Sequence, residues 1–168
     1  MKIYVSPSSQ TANVGVGTYG TEAARMKQLS DYLVPKLRNA GHTVYGGDNT
    51  LTLSERVTAS NNAGVALHLA LHSNASSNGS VRGAEALYYP TSTNGKRIAQ
   101  LAINKISAIS GAAPGRSVVA STLYEVSNTN AVATIIEVGF HDNTTDAAWI
   151  VNNLSKIAQA ICDAVAAY

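Results

Sequence analysis

The 168 residues include only one cysteine, four prolines, one tryptophan and one phenylalanine. Cys162 has no second cysteine to pair with, so no internal disulfide staples the fold. It lies with Ala158, Ile161 and Val165 on the apolar stripe of a C-terminal helix, where packing is its expected role. Charge is scarce as well: 13% of residues are charged and the formal net charge is +2. No run of lysine or arginine occurs, so the electrostatic footprint of a nucleic-acid binder is missing. Neither a secretory h-region nor an apolar stretch long enough to span a bilayer is present, and no membrane partner is expected. The chain is therefore expected to be made in the cytoplasm without a signal peptide, and any task outside needs release by lysis or a non-classical route. With 45% hydrophobic residues the composition is globular. The length suits one domain, residues 1–168, around one core, and a monomer is expected.

The chain is organised around one apolar run, Val65-Ala66-Leu67-His68-Leu69-Ala70-Leu71-His72-Ser73-Asn74-Ala75. Alternate residues of a strand share a face. Leu67, Leu69 and Leu71 therefore fall on one side, and Ala66, His68, Ala70 and His72 on the other. His68 reads as a buried, hydrogen-bonded core histidine. His72 stands where the chain leaves the sheet, at the strand end where open α/β sheets bind ligands. The two histidines are about 13 Å apart along a strand, too far to hold one ion together. A second anomaly is Glu137 in Ile135-Ile136-Glu137-Val138-Gly139-Phe140. A carboxylate near the end of so apolar a strand is costly unless it is paired, near a metal or open to a cleft. Arg56 and Arg116 are the candidate partners if its role is structural.

Further elements follow from pattern. Lys2–Val5 and His42–Tyr45 read as strands, as does Ala84–Tyr89, which stops at Pro90. Ser117–Val119 and Leu123–Val126 are short strand candidates. Thr21 caps a helix running to Arg38, with Glu22 in its first turn, where the dipole favours a carboxylate. Leu51–Ser54 caps a short helix from Glu55 to about Ala63. Residues 94–110 form another helix, and 147–166 form the last, with a break expected near Asn152-Asn153. Alternating strands and helices predict a three-layer α/β/α fold around a mostly parallel sheet of roughly six strands. Gln10, Glu22, His72 and Glu137 should then share one rim of that sheet. His nitrogen and Glu oxygen are zinc ligands, and a further carboxylate beside them can take a proton from a metal-bound water.

These residues resemble the zinc-dependent N-acetylmuramoyl-L-alanine amidases of the Amidase_3 type, found among autolysins, sporulation and germination enzymes and phage endolysins. The resemblance covers nearly the whole chain. Leu71-His72-Ser73-Asn74-Ala75 matches the family's second ligand histidine in its S-x-H-x-N-A setting, and Ile136-Glu137-Val138-Gly139-Phe140 matches its E-x-G-F catalytic glutamate. Gly20-Thr21-Glu22 falls at the glutamate ligand, and Arg56 with Ser60-Asn61 resembles the R-x-x-x-A-N helix. One departure stands out. The family's first strand ends in a D-P-G-H-G-G turn that supplies the first ligand histidine, whereas Ser6-Pro7-Ser8-Ser9-Gln10 stands here. Gln10 is the nearest replacement, with His141 and Glu125 as alternatives, and the opening is similar to that of a clostridial-type subset.

The resemblance implies Zn²⁺ held by Gln10, Glu22 and His72, with Glu137 as the catalytic base. Asn74, Arg56 and His141 would orient the site or bind the muropeptide. The implied reaction is hydrolysis of the amide between N-acetylmuramic acid and L-alanine at the bacterial cell wall. No wall-binding domain is expected within these residues. The rival readings are a non-catalytic peptidoglycan-binding relative and a zinc peptidase acting on the stem peptide.

Overall fold

The computed structural model describes residues 1–168. Six strands form one sheet: β1 (Lys2–Pro7), β2 (Thr43–Gly46), β3 (Leu67–Asn74), β4 (Glu85–Tyr88), β5 (Ser117–Ala120) and β6 (Val132–Phe140). Their order is β2-β1-β3-β6-β4-β5. Every neighbouring pair is parallel except β4 and β6. The helices are α1 (Glu22–Asn39), α2 (Leu53–Ala63), α3 (Thr93–Ser107), α4 (Tyr124–Ser127) and α5 (Thr144–Ala167). None is long and apolar enough to cross a membrane.

The two faces of the sheet are unequal. Helices α1, α3 and α5 cover the face carrying Leu67, Leu69, Leu71, Ile136 and Val138, and 30 buried residues form that core. The other face, under α2 and α4, has an apolar cluster of only four: Ala70, Val126, Ala133 and Ile135. The expected split of β3 into a leucine face and a histidine face holds. Each leucine is fully buried, worth about 1.5–3 kcal/mol apiece. A one-residue slip would turn all three out and the histidines into the core, so the pattern fixes the register. The polar residues, with no hydrocarbon layer to displace, collect on the thinner side.

Three local expectations need correction. Leu123–Val126 is not a strand. The chain makes the helical turn α4 instead, with the Val126 amide donating to the Leu123 carbonyl at 3.1 Å. A four-residue alternation carries too little periodicity to separate strand from turn, and the contacts of Glu125 across the sheet decide it. Helix α5 runs unbroken through Asn152-Asn153, because Asn153 Nδ2 donates back to the Trp149 carbonyl at 2.8 Å rather than capping a new start. Helix α2 begins two residues early. Thr52 is its cap, in a reciprocal capping box with Glu55, and Gly64, left-handed at φ 57°, ends it.

Candidate active site

His72 and Glu137 are register neighbours on the parallel strands β3 and β6. Both belong to the thin face, where the strands run out and a bulge follows His72. Glu22 arrives at the same place from the first turn of α1, whose start is fixed by the Thr21 hydroxyl accepting from the Ala24 amide at 3.2 Å. Gln10 comes from the loop after β1. Two side chains thus meet the Nδ1 edge of the His72 ring. Glu22 Oε1 lies 2.9 Å from Nδ1, and the Gln10 amide nitrogen lies 3.5 Å from the same atom. Asn13 ties the group together, its Nδ2 donating to Gln10 Oε1 at 2.9 Å and to Glu22 Oε2 at 2.7 Å.

The opposite edge of the ring meets Glu125. His72 Nε2 is 3.3 Å from Glu125 Oε2, and His68 Nε2 is 3.2 Å from Oε1 of the same carboxylate. Ser6 Oγ also donates to Oε1, and His68 Nδ1 continues to Ser60 Oγ at 3.0 Å. The two histidines, one ring stacked on Tyr4, are therefore bridged by a buried carboxylate. From sequence Glu125 figured only as an alternative first ligand. The one signal for more was an acid inside a short alternating apolar stretch, and that stretch read as a strand.

Burial and charge set the protonation states together. Burial alone would discharge the His72 imidazole, but hydrogen bonds to Glu125 and Glu22 outweigh it and raise its pKa to about 10. Burial pushes Glu22 and Glu125 upward, and their histidine partners more than reverse this, so both lie below the ordinary carboxylate range. Glu137 behaves differently. Burial raises it to about 7, reinforced by Glu22, Glu85 and Glu125 and opposed by His72. Its Oε2 is buried without a hydrogen-bond partner. Neither arginine considered for it pairs with it: Arg116 lies over the Phe140 ring, 5.6 Å from the centroid, and Arg56 bonds only a backbone carbonyl.

A cleft of about 300 Å³ opens over these groups, lined by Gln10, His72, Glu125, Glu137 and Arg56, with Leu53, Leu123 and Tyr124 at its edge. Two depressions near Arg116 are as large or larger, but their linings hold no carboxylate or imidazole. The remaining sequence candidates, Asn74 and His141, do not line the cleft, because their own partners hold them elsewhere. Asn74 Nδ2 donates to Glu85 Oε2 at 3.2 Å, and Glu85 faces Glu137 across the antiparallel pair. His141 is buried, with Nδ1 within 2.9 Å of Ser73 Oγ and its ring beside Tyr19.

The donors suit a zinc ion at the Nδ1 edge of His72. One carboxylate, one imidazole nitrogen and one amide approach a common side, and turning the Gln10 amide over presents its oxygen there. No three His, Cys, Asp or Glu side chains surround one point, and beside Glu22 the further side chain that reaches His72 Nδ1 is Gln10. Glu125 cannot be that donor, because it meets the ring on the far nitrogen.

Comparison with known proteins extends this picture. Among solved structures the fold matches N-acetylmuramoyl-L-alanine amidase AmiC2 of Nostoc punctiforme with a TM-score of 0.88 at 17% identity, covering 100% of this chain and 96% of that one. It matches the catalytic domain of CwlV, an N-acetylmuramoyl-L-alanine amidase from Bacillus (Paenibacillus) polymyxa var. colistinus, at 0.86 and 19%, covering 100% and 98%. The catalytic domain of CD27L, an endolysin targeting Clostridia difficile, matches at 0.78 and 25%, covering 98% and 95%. Among curated protein sequences none matches significantly. The sequence profile described as Amidase_3, N-acetylmuramoyl-L-alanine amidase, matches residues 5–167. A profile match of that extent goes beyond shared architecture: the chain belongs to the Amidase_3 family of N-acetylmuramoyl-L-alanine amidases.

Proposed function

We propose that the chain hydrolyses the amide between N-acetylmuramic acid and L-alanine of bacterial peptidoglycan with the help of a zinc ion. The observation that carries this reading is Glu137. A buried carboxylate with one oxygen unpartnered, facing a cleft beside a convergent Glu–His–Gln set, is costly to keep unless it has work to do. Glu22, His72 through Nδ1, and Gln10 would hold the ion. When bound, zinc supplies a Lewis acid that acidifies water and polarises the scissile carbonyl.

The chain's own residues account for the rest. Glu137 takes a proton from the attacking water and returns it to the departing nitrogen of L-alanine. A base with a pKa near neutrality suits both halves of that transfer. Glu125 accepts from His72 Nε2 and would keep that proton in place once Nδ1 gives up its own to the ion, the orienting role a carboxylate behind a ligand histidine commonly plays. Asn13 holds Glu22 in place, its Nδ2 donating to Oε2, and Leu53, Leu123 and Tyr124 offer an apolar edge to the lactyl and alanine methyl groups.

The test compares wild type with Glu137→Ala and His72→Ala for clearing of purified walls, and measures zinc content by mass spectrometry. Glu137→Ala should keep its zinc and lose about 10²–10⁴-fold in rate. His72→Ala should lose both. Full activity in either variant overturns the assignment. A wild-type protein that pellets with walls but releases nothing would be a binding relative. A zinc peptidase would release fragments cut within the stem peptide rather than intact peptides with a free N-terminal alanine.

A further inference from the structure

Arg56 is the one charged group in the cleft that the reaction leaves unused. The capping box at Thr52 sets the phase of α2, so that Arg56, Val57 and Ser60 face inward. Arg56 is only 2% exposed, yet it lines the cleft. Its guanidinium makes a single hydrogen bond, Nη1 to the Leu51 carbonyl at 3.2 Å. Nε is buried with no partner. No ion pair includes it, although Glu125 and Glu137 line the same cleft. A guanidinium this buried, with Nε unpartnered and one hydrogen bond made, is expensive on its own. Its planar fork matches a carboxylate.

We infer that Arg56 is a subsite for a carboxylate on the peptide side of the scissile amide. The inference rests on the amidase reading above. It deepens that reading by naming which form of the stem peptide the cleft prefers. Leu53, Leu123 and Tyr124, 40%, 54% and 42% exposed, rim the cleft beside the cation. The matching ligand is a short aliphatic peptide carrying an anion close to the cleaved bond. In peptidoglycan the residue after L-alanine is a D-glutamate linked through its side-chain carboxyl, which leaves its α-carboxyl either free or amidated. The free form gives the guanidinium a charged acceptor with two oxygens, whereas the carboxamide offers one neutral oxygen and sets its NH2 against the other arm of the fork.

The experiment uses two soluble muramyl tripeptides that differ only in a free or amidated α-carboxyl on the second residue. Wild type should hydrolyse the free form about ten- to a hundredfold faster in kcat/KM, the range of a charge-assisted hydrogen bond. Arg56→Met should bring the ratio to about one, and Arg56→Lys should keep part of it. Calorimetric binding of the same pair to the Glu137→Gln protein reads the preference without turnover, so it stands even if wild type hydrolyses neither. That last result would overturn the amidase reading and leave the subsite to be judged by binding. Equal rates on the two substrates in wild type, or an unchanged ratio in Arg56→Met, overturns the subsite. A uniform loss on both substrates would assign Arg56 to balancing the cluster's negative charge.

Discussion

Replacing Glu137 by glutamine should make the metal-free protein more stable at alkaline pH while abolishing its chemistry. The carboxyl ordinarily titrates at 4.5, and burial in the cleft raises it to about 7. Below pH 4.5 it is protonated in the folded and the unfolded chain alike, and it adds no pH dependence. Above that, the unfolded chain releases the proton while the folded one keeps it until about 7. The stabilising difference is therefore whole at low pH and is lost as pH rises through that window. At about 1.4 kcal/mol per tenfold, the gap between 4.5 and about 7 amounts to about 3 kcal/mol. Glutamine does not titrate. Its amide inherits the same partnerless position as Oε2, but that cost is constant with pH. The difference in unfolding free energy between Glu137→Gln and wild type should rise by about 3 kcal/mol between about pH 4.5 and about pH 8.5, the other titrating groups being common to both proteins. In a chelator-treated thermal melt this is on the order of 10 °C in Tm. Adding zinc should narrow the gap, since a nearby cation favours the ionised carboxylate. A stability difference that is flat with pH, or a wild type that gains on the variant as pH rises, would refute the reasoning.

The remaining predictions concern the ligands. Gln10→His should tighten zinc binding by about tenfold or more, because imidazole is the better donor and the position already faces His72 at 3.5 Å. Competition with a chromogenic chelator measures this, and an unchanged affinity would place the ion away from residue 10. Glu125→Leu should weaken zinc about 10–100-fold by freeing the His72 ring. It should also destabilise the fold by about 3–5 kcal/mol, since His68 and His72 lose a buried partner. Denaturant melts and the same chelator titration check both effects, and the losses should shrink in Glu125→Gln, which keeps an acceptor oxygen.

Much of the architecture was written in local pattern. The alternation through Leu67–Leu71 set the two faces of β3, and apolar runs ending at His72 and Glu137 put both residues at the same rim. Those signals are strong because a buried strand has few alternatives and a slip of one residue is ruinous. The smaller features were not legible. Thr52 and Ser54 are both plausible caps, and only the pairing with Glu55 chooses between them. The Asn152-Asn153 pair reads as a helix stop until Asn153 is seen bonding the turn behind it.

The sequence by itself determined the fold class, because periodicity and strand ends follow from covalent spacing, and it pointed to the family through the motifs around Glu22, His72 and Glu137. Tertiary structure alone decided that Glu125 bridges His68 and His72, that His141 is buried against Ser73 and Tyr19, and that Arg56 enters the cleft with no anion to meet it. Each of those depends on where side chains from separate elements end up in three dimensions. Separation along the chain carries no information about that until the sheet has closed around them.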